Sequence, residues 1–328
     1  MMSEVSNVVI NQLLYGYDDG HRLLSGSLKP DSASAKILLS LSDLSSRPFN
    51  TSKFSYVQGF PLPELGSYAF TKTWLASEMR RPGCVWTQVL LIDFSDIASI
   101  NETSFVDLFK RPMSIEEIDG YKETLEYSSK GRASFVEYKS LIYLDEFSKI
   151  IYELYNYPKK KIVVKSYNRD ESVKLALLVW LQQWPKLRRN FSFNTHSAMK
   201  SLESRRKFDL EFIDENLMTG SFDSDIKECR YVDLTELSEF PNLENWASHI
   251  AFDFLVHGRE RDLEKFFWRY GSETEEGRAS FKWLAILWSG LEKGDLYKKS
   301  GFIKHIKSLN NRNSNITKVY LDGIAREI

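Results

Sequence analysis

A chain of 328 residues with 45 acidic and 44 basic side chains has almost no net charge, which argues against a chain-wide electrostatic grip on nucleic acid or an anionic membrane. The length predicts two or three domains, and an aromatic content of 14% predicts ring-rich cores. Two cysteines, Cys84 and Cys229, are too few for a disulfide framework or a four-cysteine zinc site, and the amino terminus has neither a basic start nor a long apolar segment; a reducing, cytoplasmic setting without membrane insertion is the expectation.

Residues 12–27 read QLLYGYDDGHRLLSGS. Two apolar runs flank Asp18-Asp19-Gly20, and Gly after Asp supplies the positive φ of a tight turn, so the stretch predicts a β-hairpin. Its tip groups Tyr15, Tyr17, Asp18, His21 and Arg22, more chemistry than a plain turn needs. A short helix is expected over residues 35–41. Residues 54–62 contain Pro61 and neighbour Pro63, which predicts an edge strand or an extended segment. Residues 68–76 read as another strand. Arg81-Pro82-Gly83-Cys84 is a type II turn signal, with Pro presetting φ and Gly taking the positive φ. Residues 84–93 leave that turn as a central strand, almost continuously apolar. Residues 1–135 therefore read as a mostly antiparallel sheet with short helices.

A different pattern begins near residue 136. Tyr143, Phe147, Ile150, Ile151 and Leu154 share one face of a helix over 141–155. A strand at 161–167, a helix at 171–184 stopped by Pro185, and strands at 191–195 and 207–213 make residues 136–238 a small α/β module. The turn Ser166-Tyr167-Asn168-Arg169-Asp170 lacks the glycines that let backbone amides approach phosphate, so it is not a nucleotide-binding loop and no cofactor is expected. Residues 239–328 are helical in pattern, with Gly258, Gly271 and Gly290 at the expected helix ends. The fold class is α+β: an antiparallel amino-terminal sheet, a small α/β module and an all-helical carboxy-terminal region.

Each candidate site has a bland counterpart. The hairpin tip, with Glu78, Arg81 and Trp86 near the second turn, reads as a ligand or partner surface; the counterpart is polar pairing at a solvated turn. Cys84 with His21 is a nucleophile–base pair only if the two touch, and otherwise Cys84 is a small buried residue. His249, Asp253 and His257 lie along one helix strip; the apolar surroundings favour an internal hydrogen-bonded strip over a metal site. Residues 158–208 hold 13 Lys or Arg against 3 Asp or Glu, while residues 209–246 hold 11 acids against 2 bases. Either the two blocks pack on each other, or Lys159, Lys160, Lys161, Arg188, Arg189, Arg205 and Arg206 form a surface for nucleic acid.

Tyr15-Gly16-Tyr17, Gly20-His21, Leu23-Leu24 and Ser27 form a first signature, and Thr73-Trp74, Glu78 and Arg81 to Thr87 a second. Together these stretches resemble the N-terminal domain of the GTPase-associated proteins of bacterial conflict systems, over about the first 95 residues. That family tends to carry a histidine where this chain has Gln88, and glutamine cannot perform acid–base chemistry in its place. The resemblance implies a component of a bacterial defence locus, encoded beside a P-loop GTPase and coupling it to an effector. The leading reading is a non-catalytic regulatory or adaptor subunit. A small-ligand or nucleotide-signal sensor or hydrolase built on the hairpin tip, and a nucleic-acid binder built on residues 158–208, are the alternatives. The oligomeric state stays open.

Overall fold

The computed structural model describes residues 7–44, 54–79, 83–128, 143–166, 168–197, 208–214, 229–234, 246–255, 260–272, 274 and 277–293. Strand β1, Asn7–Tyr17, shows how the sheet is built. In its first half Val8 and Ile10 are buried while Val9 is exposed; further on, Leu13, Leu14 and Tyr15 are all buried. A strand alternates where one face meets water and turns apolar on both sides where both faces are covered. Asp19 and Gly20 take φ values of 52° and 124°, and Tyr17 pairs with His21 at the start of β2, His21–Gly26. The expected hairpin is present.

Asp31 caps α1, Ser32–Leu41, by accepting from the amides of Ala33 at 2.8 Å and Ser34 at 2.9 Å. Strands β3 (Ser55–Leu62), β4 (Ser67–Leu75) and β5 (Val85–Asp93) follow. Gly83 has a φ of 85°, as the type II turn requires; residues 80–82 lie outside the described residues. Next come β6 (Leu125–Ser128), α2 (Leu144–Asn156), β7 (Lys161–Ser166), α3 (Arg169–Leu181), α4 (Pro185–Arg188), β8 (Phe193–Ser197), β9 (Leu210–Asp214) and β10 (Cys229–Asp233). Helices α5 (Trp246–Leu255), α6 (Glu260–Gly271) and α7 (Arg278–Lys293) complete the described elements.

Among the described residues the strand order is β10-β7-β9-β8-β3-β4-β5-β1-β2, with β6 on the amino-terminal half of β1. The strands from β10 to β8 run parallel, and from β8 onward the pairing is antiparallel. The middle strands therefore extend the amino-terminal sheet. Strand β3 is interior rather than an edge. On β3, strand β8 pairs only with Gln58 and Gly59, so Pro61 lies past that short ladder and its missing amide costs nothing on that side. Pro63 opens a 3-10 helix instead of a strand.

The sequence reading drew three consecutive domains. By its contacts the chain divides into two compact units, one of Met1–Glu137, Lys161–Leu181 and Arg188–Asp233, the other of Tyr138–Lys160, Gln182–Leu187 and Leu234–Ile328. In the first, α1 covers one sheet face over Leu13, Tyr15, Phe60, Leu62, Val89 and Leu91. On the other face Trp180 of α3 lies against Tyr68, Phe70 and Phe105, with ring centroids 5.5, 5.0 and 6.3 Å away. In the second unit α2 joins the carboxy-terminal helices: Phe147 stacks on Phe254 at 5.7 Å and Tyr155 on Phe281 at 3.8 Å. Gly271 does end α6, and a Cβ there would lie 2.4 Å from the Trp184 indole; Gly290 lies inside α7 rather than at a helix end. Among the described residues no helix is long and apolar enough to cross a membrane.

Candidate functional site

The hairpin and β5 lie side by side: Tyr15 pairs with Thr87 and Leu14 with Gln88. Side chains alternate between faces along both strands, and this alternation divides the signature residues into two groups.

On the α1 face, His21 Nε2 lies 2.8 Å from Ser42 Oγ, one residue past the helix. The Ser42 hydroxyl donates to the Leu39 carbonyl at 3.1 Å. With that hydrogen on the carbonyl, the Nε2–H tautomer of His21 is the one that donates to the serine; the Nδ1–H tautomer would accept from it instead. Thr87 Oγ1–H donates to the Ser42 carbonyl at 2.6 Å, and the Thr73 hydroxyl then donates to Thr87 at 2.8 Å. The Tyr15 ring stacks beside His21 with centroids 6.4 Å apart. Burial lowers the His21 pKa, partly countered by the charge of Asp43, and burial pushes the Tyr15 phenol up to about 12. Both groups are thus held neutral. The His21–Ser42 distance suits a nucleophile and its base, but Ser42 is fully buried and its proton faces a carbonyl. The pair is a latch between the hairpin and the end of α1.

On the other face, a Cβ at Gly16 would fall 2.7 Å from the Trp86 ring. Glycine between the two tyrosines is what allows the indole to lie on β1. Trp86 Nε1–H donates to Glu78 at 2.6 Å, and the second Glu78 oxygen accepts from Arg111 at 2.5 Å. Arg111 also donates to the Leu75 carbonyl at 3.0 Å. Burial opposes ionisation of Glu78, but the hydrogen bonds from its own backbone, from Trp86 and from Arg111, together with the Arg111 charge, hold its carboxyl below the usual range. Trp86 packs with Leu14, Ala76, Cys84 and Tyr121, bordered by partly buried Tyr17, Leu24, Trp74, Met79 and Ile118. Cys84 belongs to this cluster and His21 to the opposite face, so the two do not form a nucleophile pair. Asp18 and Arg22 form an exposed ion pair at the tip. Arg81 lies outside the described residues.

Gln88 is buried, and both the nitrogen and the oxygen of its amide are hydrogen-bonded. Its Nε2–H donates to Gln12 Oε1 at 2.7 Å, and its Oε1 accepts from the Lys110 amide at 2.7 Å. Gln12 in turn donates to the Glu123 carbonyl at 2.8 Å. An amide chain thus stitches β5 to β1 and to residues 110–123. Sequence reasoning missed Gln12, Ser42 and Arg111. Gln12 has a faint signal, a lone amide at the head of an apolar run; nothing local marks the other two.

Residues 9–109 match the family model described as GTPase-associated protein 1, N-terminal domain type 1. The matched domain contains both signatures, Gln12, Gln88 and the Ser42 latch, and ends two residues before Arg111. A search of curated proteins finds no match to the chain.

The basic segment requires a correction. Lys161 is interior, its side chain 5% exposed, and pairs with Glu211 of β9 at 2.8 Å. Arg188 is 1% exposed; it donates to the carbonyls of Ile100 at 2.8 Å, Ile97 at 3.4 Å and Leu181, and lies 5.0 Å from the Trp180 ring. Neither can reach a polyanion, because their charges are taken up by a buried carboxylate and by backbone carbonyls. Arg189 lies over the Phe94 ring at 5.8 Å; Lys159 is exposed and Lys160 half-buried, while Arg205 and Arg206 fall outside the described residues. Lys165 pairs with Asp233 at 3.0 Å, so two ion pairs join the basic segment to the acidic one across β9-β7-β10.

In the second unit, His249 Nδ1 lies 3.0 Å from Ser289 Oγ and 3.7 Å from Asp253, which accepts from Trp288 Nε1 at 2.8 Å. These contacts make an internal polar strip; His257 lies outside the described residues. Among the described residues no three His, Cys, Asp or Glu side chains are arranged to hold a metal ion.

Proposed function

We propose that this chain is a non-catalytic regulatory or adaptor component of a bacterial conflict system, acting in the cytoplasm and coupling a partner P-loop GTPase to an effector. The match of residues 9–109 to a GTPase-associated domain carries this reading. The use made of the signature residues supports it. His21, Glu78 and Trp86 are satisfied by their neighbours and divided between two faces, whereas a catalytic site needs convergent groups around a reacting atom. The turn before α3 is closed by its own residues, with Asn168 Oδ1 accepting from the Asp170 amide at 3.0 Å, so GTP hydrolysis is assigned to the partner.

The partner surface is the hairpin end of the antiparallel sheet, together with residues 111–113 that follow the matched domain. Half-buried Tyr17, Leu24, Trp74 and Met79 border the Trp86 cluster, Arg111 bonds to Glu78 and to the Leu75 carbonyl, and Asp18 and Arg22 form an exposed pair at the tip. Met113 is 67% exposed. Aromatic, methionine and arginine side chains are the types enriched at binding hot spots. The test is co-expression with the P-loop GTPase encoded beside this chain, followed by capture of either protein. Wild type should retain the GTPase, and a Met113→Glu/Arg22→Asp double variant with an unchanged melting temperature should lose it. Folded wild-type protein that retains no neighbouring gene product contradicts the proposal.

A further inference from the structure

Glu102 immediately precedes the 3-10 helix Thr103–Leu108 and lies in the interior, 3% exposed. Its Oε2 accepts from the Ser104 hydroxyl at 3.0 Å, while its Oε1, equally buried, has no hydrogen-bond partner. Capping does not account for it, because the Glu102 side chain makes no bond to the helix amides. Tyr127 of β6 reaches the same place. It is 5% exposed, its phenol is acted on by Ser104 and by the Glu102 charge, and its hydroxyl has no hydrogen-bond partner. Thr103, next to Glu102 in the chain, adds another buried hydroxyl without a partner. Glu102 makes no ion pair with any described residue. These residues belong to neither latch of the hairpin, and Tyr127 lies beyond the matched domain.

A carboxylate withdrawn from water is costly unless positive charge compensates it, and in protein interiors that charge comes from a basic side chain or a metal ion. Water would satisfy the orphaned oxygens but would leave the charge. The atoms brought together are all oxygens: the carboxylate, the Ser104 hydroxyl with its lone pairs free, and a phenol that burial keeps neutral by pushing it up to about 12. Oxygen donors select hard cations. Charge narrows the choice further. Glu102 is the single carboxylate acting on Tyr127, so one positive charge neutralises the group, whereas a divalent ion would leave an excess in a low-dielectric interior. We propose that Glu102, Ser104 and Tyr127 bind an alkali-metal cation, which fastens β6 to the segment that opens the 3-10 helix.

The test is thermal melting of the intact chain as sodium or potassium chloride replaces choline chloride at one fixed ionic strength, choline being too large for a buried site. Either alkali ion should raise the wild-type melting temperature above its choline value by about 2–4 °C, and the rise should saturate. Glu102→Gln keeps the shape, removes the charge and should abolish the difference. Tyr127→Phe keeps the ring, drops one oxygen ligand and should reduce it, and this variant decides where Glu102→Gln does not fold. Wild type equally stable in choline and in both alkali salts would mean that water alone serves these oxygens, and overturns the proposal. So does an alkali effect that both variants retain, or a larger stabilisation by magnesium or calcium that Glu102→Gln removes.

Discussion

The two faces of the antiparallel sheet secure the same hairpin by different physics. On the α1 face the fastening is polar and directional: a histidine, a serine, two threonines and a helix end share a chain of hydrogen bonds around a buried phenol. On the other face it is steric, an indole laid on a glycine and anchored at its rim by Glu78 and Arg111. Hydrogen bonds exchange protein for water partners and contribute about 1 kcal/mol each, whereas close packing of a large ring removes it from water altogether. The steric face should therefore dominate stability and the polar face should set geometry and pH response.

The largest expected effect is on the steric face. Trp86→Ala should lower stability by about 3–5 kcal/mol in urea denaturation. An equal loss from His21→Ala would erase the contrast between the faces. An effect of similar size belongs to the parallel half of the sheet: Lys161→Met strands Glu211 as a buried unpaired charge and should cost about 3–5 kcal/mol. The double replacement Lys161→Met/Glu211→Leu should recover most of that loss. A surface lysine engaged in polyanion binding would leave stability untouched.

Gly16→Ala is smaller. The added methyl meets the Trp86 ring, and overpacking of this kind should cost about 1–3 kcal/mol in the same assay. The smallest effect, and the one that sharpens the comparison most, is on the polar face: His21→Gln should cost about 1 kcal/mol at neutral pH. Because burial lowers the folded pKa of His21, the unfolded chain binds more protons once the pH falls below the ordinary histidine value of 6.5. The His21 contribution is complete above that value and is lost as the pH falls through the lowered folded value. Stability measured along a mildly acidic series should fall less steeply for His21→Gln than for wild type.

Much of this fold is legible in the residues because local chemistry and tertiary structure agree. Asp19-Gly20 places the hairpin, Asp31 caps α1, and the apolar strip from Phe147 to Leu154 marks α2. Failures occur where long-range pairing decides. Strand β10 is short and polar, and it exists because β7 offers it an edge. Strand β3 looked like an edge because Pro61 lacks an amide donor, but no local rule shows that β8 covers only two residues of it. Burial of Lys161 and Arg188 is illegible for a related reason: charge is read as surface until its partner is known, and Glu211 and the Ile100 carbonyl are distant in sequence. At the site, the identities of Tyr15, Gly16, His21, Glu78 and Trp86 were legible. Their division between two faces follows from the alternation of β1 and β5, but the register that brings Gly16 onto Trp86 does not.

The claim that the two signatures are halves of one packed framework rests most directly on Gly16 and Trp86, and a double-mutant cycle tests it. Stability is measured by urea denaturation for wild type, Gly16→Ala, Trp86→Leu and the double variant. The smaller leucine removes the indole contact and leaves only the Leu24 methyl, 2.8 Å from the added Cβ, so the double variant should be less destabilised than the sum of the single changes, by about 0.5–3 kcal/mol of coupling. Strict additivity would mean that the glycine and the indole do not touch, and would contradict the account.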